Sequence, residues 1–130
     1  MVSAPRTFLV LGGYGQAGRA IADLLLKETA ARITLGGRSL ERAEQAAQQL
    51  NLRFPGDRVS AVCVDACNRG DLRSAFQGID LVIVASPTTR DTEAVAKEAL
   101  AAGADYIDIQ MAAGNKLAVL RGMETEVAAA

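Results

Sequence analysis

A chain of 130 residues, half of them hydrophobic, is long enough to bury the core of one compact domain and short for two. Its 14 Lys and Arg against 15 Asp and Glu leave a formal charge of −1, so no global field attracts a polyanion, and nucleic acid is excluded as the expected partner. Histidine is absent, which removes the commonest general base and metal ligand, and no run of about 18 apolar residues is present to span a membrane.

The opening MVSAPRTFLVLGG holds too short an apolar run for a secretory signal, so the chain reads as soluble and cytoplasmic. TFLVLGG is the first predicted strand. Ala17, Ala20, Ile21, Leu24 and Leu25 follow at spacings of three and four, which predicts one inward face of a helix. RITLGG is the second strand. Ser39 is placed to cap a second helix, with Glu41 in its first turn and Ala43, Ala46, Ala47 and Leu50 as its apolar stripe. A loop with Pro55 and Gly56 leads to VSAVCVD, the third strand, in which Cys63 is expected as a small buried hydrophobe. Cys67 falls in the loop beyond, and the pair lacks the further ligands a zinc site needs.

A short helix carrying Leu72, Ala75 and Phe76 ends near Gly78, and DLVIVASP is a fourth strand that stops at Pro87. Helical period returns from about Asp91, with Val95, Ala99 and Leu100 facing inward and Gly103 closing the segment. DYIDIQ is the fifth strand. A last helix is expected over about Asn115–Ala129, carrying Leu117, Leu120, Met123 and Val127. Strands alternating with helices imply parallel pairing through right-handed crossovers. The predicted class is α/β, a doubly wound Rossmann-like sheet of five or six strands with helices on both faces.

The chemistry concentrates where the first strand meets the first helix. Gly13, Gly15 and Gly18 fit GxGxxG, and Gly12, Gly15 and Gly18 fit GxxGxxG. An early glycine permits the tight turn, Gly15 lets the backbone approach a pyrophosphate, and Gly18 lets helix and strand pack closely. The phosphate would sit on free N–H groups at the positive end of the helix dipole. Because this motif follows a strand and opens an amphipathic helix, a dinucleotide cofactor is expected. Tyr14, Gln16 and Ala17 complete the turn, Tyr14 either leaning over the cofactor or covering the neighbouring helix. Arg19 is either a phosphate ligand or a surface charge.

The end of the second strand selects the nucleotide. An NAD site usually carries an acidic residue there to hold the ribose 2′-hydroxyl. This chain has Gly36, Gly37, Arg38 and Ser39 instead. With no carboxylate to repel a 2′-phosphate, and with a guanidinium and a hydroxyl to bind it, the site favours NADP over NAD. Asp65, after the third strand, either borders the adenine, with Ala66 and Cys67 continuing that wall, or caps the next helix. Ala85, Ser86 and Pro87 follow the fourth strand near the expected reversal of strand order, where open α/β sheets bind ligands, and should line the path to the nicotinamide. Thr88 or Thr89 starts the helix beyond.

Taken in order, FLVLGGYGQAGRAIADLLL, ITLGGRSLERAEQAA, VDACNRGDLRSAFQGIDLVIVASP and AGADYIDI resemble the N-terminal NADP-binding domain of the saccharopine dehydrogenase or reductase family, over about residues 7–110. The resemblance implies an NADP-dependent oxidoreductase whose cofactor contacts carry over to Gly13, Gly15, Gly18, Arg38, Ser39 and Asp65, and more loosely to Ala85 and Ser86. It also implies a second domain that supplies the small-molecule substrate site and the oligomer contacts. No segment here corresponds to that domain, so no catalytic residue carries over. The chain stops at EVAAA, where a six-stranded fold would place another strand. Residues 1–130 are therefore expected to be an excised N-terminal domain of a longer oxidoreductase that transfers hydride to or from a small molecule. The alternative is a non-catalytic NADP-sensing module, which the fold alone does not separate from an enzyme. The short-chain reductase pattern Tyr-x-x-x-Lys is absent, since neither Tyr14 nor Tyr106 has a lysine four residues on.

Overall fold

The computed structural model describes residues 4–86, 89–109 and 120–129. Its elements are β1 (Thr7–Leu11), α1 (Gln16–Glu28), β2 (Arg32–Gly37), α2 (Leu40–Arg53), β3 (Val59–Cys63), α3 (Arg69–Ala75), β4 (Leu81–Val84), α4 (Thr92–Ala101), β5 (Asp105–Asp108) and α5 (Glu124–Ala129). A 3₁₀ turn, Thr89–Asp91, leads into α4. The five strands form one parallel sheet in the order β3-β2-β1-β4-β5. The chain is thus the doubly wound α/β fold that its alternating pattern predicts, with five strands among the described residues.

Alternation along the strands builds two cores. Leu9 and Leu11 of β1 and Val82 and Val84 of β4 point to one face, where Leu72 of α3, Phe76 at its C-cap, and Val95 and Ala99 from α4 cover them. Val10, Ile33, Leu35 and Ile83 point to the other and meet Ala22 and Leu26 of α1 and Ala46 and Leu50 of α2. Strands buried on both sides explain why β1 and β4 are continuously apolar rather than alternating.

Local signals set most boundaries. Ser39 Oγ accepts from Arg42 N at 3.3 Å to cap α2, whose buried residues are the four expected ones. Gly78 and Gly103 adopt left-handed backbone at the ends of α3 and α4. The far end of α1 is closed by Arg58, whose guanidinium donates to the carbonyls of Leu26 at 2.6 Å and Thr29 at 2.7 Å. Asn51, on α2, exchanges two bonds with the backbone of Val59, donating Nδ2 to its carbonyl at 2.9 Å and accepting its N–H at 3.0 Å.

Four expectations are corrected. The inward face of α1 is Gly18, Ala22 and Leu26, with Ile21 and Leu25 half-buried, whereas Ala17 and Ala20 are exposed and Leu24 is 59% exposed. The contact of Gly18 with the turn fixes the rotation of the helix and overrides its apolar count. Cys63 is exposed, because β3 is an edge strand and its last residue lies beyond the helices. Leu100 is half-buried, with Ala96 taking the inward place beside Val95 and Ala99. The last helical stretch breaks at Met123, which is buried, while Val127 of α5 is exposed. Residues 115–119 of that predicted helix, Leu117 among them, and Pro87 and Thr88 lie outside the described residues.

Candidate functional site

The strand order reverses between β1 and β4, so α1 and α4 leave the sheet on opposite faces and a crevice opens at the carboxyl ends of the strands. A cavity of about 370 Å³ occupies it. Its floor is the glycine turn. Gly12 has φ +82°, and both Gly12 N and Gly13 N donate to Gly36 O, at 2.8 and 3.2 Å, locking the turn to β2. A Cβ on Gly12 would lie 2.7 Å from that of Ser86, and one on Gly13 2.8 Å from Leu35 Cδ2. A Cβ on Gly18 would strike Gly12 O and lie 2.8 Å from Gly13 Cα. Those three glycines are explained by packing.

Gly15 is different. It takes ordinary extended backbone, φ −73° and ψ 170°, and a Cβ there would meet only Gly12 O, at 3.4 Å. Among the described residues nothing requires a glycine at this position, which lines the open cavity. Gly15 is also the N-cap of α1, with no side-chain cap bond and no acidic residue in the first turn. The first N–H groups of a helix need an acceptor, and this helix supplies none from its side chains. The turn therefore has the shape and the donors to receive an anionic oxygen that approaches close to the backbone.

Tyr14 joins this turn to the end of β2. Its ring lies on Gly37, where any Cβ would clash with it, and its hydroxyl accepts the N–H of Ser39 at 3.2 Å. The tyrosine thus both lines the cavity and touches the start of α2. Arg38 stands at the same end, exposed, and among the described residues no ion pair or hydrogen bond engages its guanidinium. Ser39 uses its Oγ for the helix cap and its N–H for Tyr14, leaving its hydroxyl proton as the donor to give. Arg19 is drawn away, its Nε donating to Tyr14 O at 3.0 Å and its Nη1 to Gln49 Oε1 at 3.3 Å, so it behaves as a brace for the turn.

The opposite wall comes from β3 and β4. Asp65 lines the cavity with Ala66 and Cys67, and its Oδ1 accepts the N–H of Cys67 at 2.9 Å. The cap of α3 is Asn68, whose Oδ1 accepts from Asp71 N at 3.1 Å, so the helix-capping alternative for Asp65 is overturned. A carboxylate with one such bond keeps acceptor capacity for a ligand donor. Ala85 and Ser86 reach the cavity from β4, with Ala85 N bonded to Leu11 O at 2.8 Å.

Among the expected residues, Tyr14, Gly15, Gly37, Arg38, Asp65, Ala66, Ala85 and Ser86 line the cavity. Gly13 and Gly18 support it from behind, Ser39 stands beside it, and Gln16 and Ala17 form the exposed first turn of α1. Asp91, at the N-cap of α4, was not anticipated and lines the cavity too, accepting from Cys67 Sγ at 3.5 Å. The only hint of it in the sequence is its place just before a helix. The bond to Asp91, reinforced by the nearby charges of Asp91 and Asp65, holds the Cys67 thiol above its ordinary range. Among the described residues no three side chains of His, Cys, Asp or Glu gather as a metal site, and no helix is long and apolar enough to cross a membrane.

The saccharopine dehydrogenase NADP binding domain family matches the chain over residues 8–129. The chain belongs to this family. It is a saccharopine dehydrogenase NADP binding domain, and NADP is its cofactor. The apo saccharopine dehydrogenase (L-Glu forming) of Saccharomyces cerevisiae superposes with a TM-score of 0.74 at 21% identity, covering 94% of this chain and 24% of the yeast enzyme. A short-chain dehydrogenase/reductase of Veillonella parvula, solved with NADP, superposes with a TM-score of 0.66 at 24% identity, over 84% of this chain and 49% of that one. These likenesses establish a shared fold. Two highly reducing polyketide synthases, from Didymella fabae and Aspergillus terreus, are 30% identical over 78 residues and 31% identical over 71. They match 59% and 55% of the domain, which spans only 4% and 3% of their lengths.

Proposed function

We propose that this domain holds NADP(H) for an oxidoreductase that transfers hydride to or from a small molecule, with the substrate walls supplied by residues beyond these 130. The observation that carries the reading is the guanidinium of Arg38, unpaired among the described residues, at the rim of a cavity whose glycine floor leaves room at Gly15. In this reading the N-terminus of α1 and the turn at Gly15 take the pyrophosphate, where N–H groups and the helix dipole offset its charge. Arg38 and the Ser39 hydroxyl take the 2′-phosphate, and no carboxylate at the end of β2 competes for a free ribose hydroxyl. Asp65 accepts from the amino edge of the adenine. Ala85 and Ser86 follow β4 at the switch point and position the nicotinamide, while small side chains there leave its face open.

Bound NADP(H) supplies the hydride chemistry, and the protein's share is to bind, orient and exclude water. The domain is best read as the cofactor part of a longer polypeptide, because it covers about a quarter of the yeast saccharopine dehydrogenase. The soluble, cytoplasmic setting belongs to the same reading.

Calorimetric titration of the domain with NADPH and NADH tests the assignment. A charge-assisted hydrogen bond to the 2′-phosphate contributes about 1.5–3 kcal/mol, a ten- to hundredfold effect. Arg38→Ala should therefore weaken NADPH by about that factor and leave NADH nearly unchanged. Equal losses for both cofactors would mean that Arg38 does not meet the 2′-phosphate.

A further inference from the structure

Arg42 sits in the first turn of α2, three residues after the cap, and its backbone N–H is tied to Ser39 Oγ. Its guanidinium carbon lies 5.9 Å from the centroid of the Tyr14 ring, within the range of cation–π attraction. The side chain is exposed, yet among the described residues no carboxylate pairs with it. Three other exposed arginines of the domain are paired. Arg53 bonds Asp23 at 2.7 Å, and Arg69 and Arg73 share Glu98 at 3.7 and 3.4 Å. Among the described residues, Arg38 and Arg42 are thus two cations without a carboxylate partner that flank Ser39 in the chain, at the end of the cavity where β2 gives way to α2.

We propose that Arg42 is a second cation for the 2′-phosphate, and that Tyr14 is the positioning residue that holds it there. The proposal rests on the Arg38 assignment above and extends it. A phosphate monoester carries close to two negative charges and three acceptor oxygens, more than one guanidinium satisfies. A second guanidinium beside it meets that demand, provided the flexible arginine is not left to wander. Tyr14 provides the restraint from two directions. Its ring stacks under Arg42, and its hydroxyl takes the N–H of Ser39, fixing the ring to the residue between the two cations. The same residue belongs to the glycine turn, and its ring rests on Gly37. Tyr14 therefore couples the part of the site that takes the pyrophosphate to the part that reads the 2′ position.

The test is titration of the domain and its variants with NADPH and NADH, read as the ratio of the two affinities. Damage to the cleft lowers both cofactors together, so a merely structural role leaves the ratio in place. In Arg42→Ala, NADPH should weaken by about three- to tenfold, less than for Arg38 because Arg38 lines the cavity and Arg42 stands outside that lining, with NADH unchanged within about twofold. Arg53→Ala removes a charge from the same helix roughly 16 Å away along its axis and should leave the ratio unaltered. Tyr14→Leu should reproduce the loss of Arg42→Ala in the ratio, and the double variant should lose no more than either single change. Tyr14→Phe keeps the ring and should keep most of the discrimination. If the parent domain discriminates but Arg42→Ala keeps its ratio, or if Arg53→Ala lowers the ratio as much, the second cation is refuted while the Arg38 assignment stands. If Tyr14→Leu and Arg42→Ala lower the ratio additively, the positioning role is refuted, and if Tyr14→Phe loses it as fully as Tyr14→Leu, stacking of the ring under Arg42 is refuted as its basis. If the parent domain binds both cofactors equally, the Arg38 assignment fails and this proposal with it.

Discussion

Adding one methyl group at Gly18 and at Gly15, three residues apart, should produce opposite failures. At Gly18 the new Cβ would fall against Gly12 O and 2.8 Å from Gly13 Cα, so every close neighbour is backbone. No rotamer change relieves such a contact, and α1 must lift away from the turn that anchors it. Overpacking of this kind costs about 1–3 kcal/mol, and rigid neighbours on both sides put this case near 3. For a domain of this size that corresponds to a fall of roughly 10 °C in Tm. At Gly15 the backbone is already extended and, among the described residues, the only neighbour is Gly12 O at 3.4 Å, an ordinary contact. The loss of a favourable N-cap and the gain from a stiffer unfolded chain nearly cancel, leaving stability within about 1 kcal/mol of the parent. The methyl group, however, stands where the pyrophosphate must approach, and NADPH affinity should fall at least about tenfold. Thermal denaturation and calorimetric titration of the two alanine variants read both effects. A Gly18→Ala domain that melts with the parent, or a Gly15→Ala domain that binds NADPH as tightly, would refute the division between a packing glycine and a binding glycine.

Asn68→Ala removes the cap of α3 and should cost about 1 kcal/mol in denaturant unfolding while NADPH affinity stays put. The Cys67 thiol, held protonated chiefly by its bond to Asp91, should alkylate slowly at mildly alkaline pH. Asp91→Asn should speed that reaction and saturating NADPH should slow it, as followed by peptide mass spectrometry, and a rate indifferent to both would disprove the contact. Burial, and then the 2.7 Å bond from its hydroxyl to Asp108 Oδ2, raise the Tyr106 phenol above its ordinary range. Folding therefore favours its protonated form, so its contribution is full below the unfolded phenol pKa of about 10 and is lost as pH rises past it. Tyr106→Phe should flatten that alkaline decline in stability measured against pH, and an unchanged slope would assign the decline to other groups.

The strands, their parallel order and the cap at Ser39 were legible because they depend on local periodicity and turn chemistry. The glycine spacing was legible for the same reason, although the contacts that Gly12 makes with Ser86 and Gly13 with Leu35 come from distant parts of the chain. The rotation of α1 was not, since Leu24 looks as apolar as Leu26 until the Gly18 contact fixes which of them faces the sheet. The exposure of Cys63 is not legible, because a strand's own residues do not say whether it lies at an edge. Gly36 and Gly37 stand in the sequence as the absence of a carboxylate, yet they also serve packing, a Cβ on Gly36 lying 3.0 Å from Val64 Cγ1 and one on Gly37 meeting the Tyr14 ring. Contacts such as Arg42 on Tyr14 or Cys67 on Asp91 join residues more than 20 positions apart, and side-chain order along the chain carries no trace of them.

The paired bonds between Asn51 and Val59 also affect how copies of this domain behave toward one another. An outermost strand exposes peptide groups that can recruit a foreign strand, the usual first step toward aggregation. Here the primary amide of Asn51 imitates a peptide and fills both the donor and the acceptor of Val59 on the free side of β3. A stray strand arriving at that register must displace two well-formed bonds before it gains any, so one position of this margin is guarded by a single side chain.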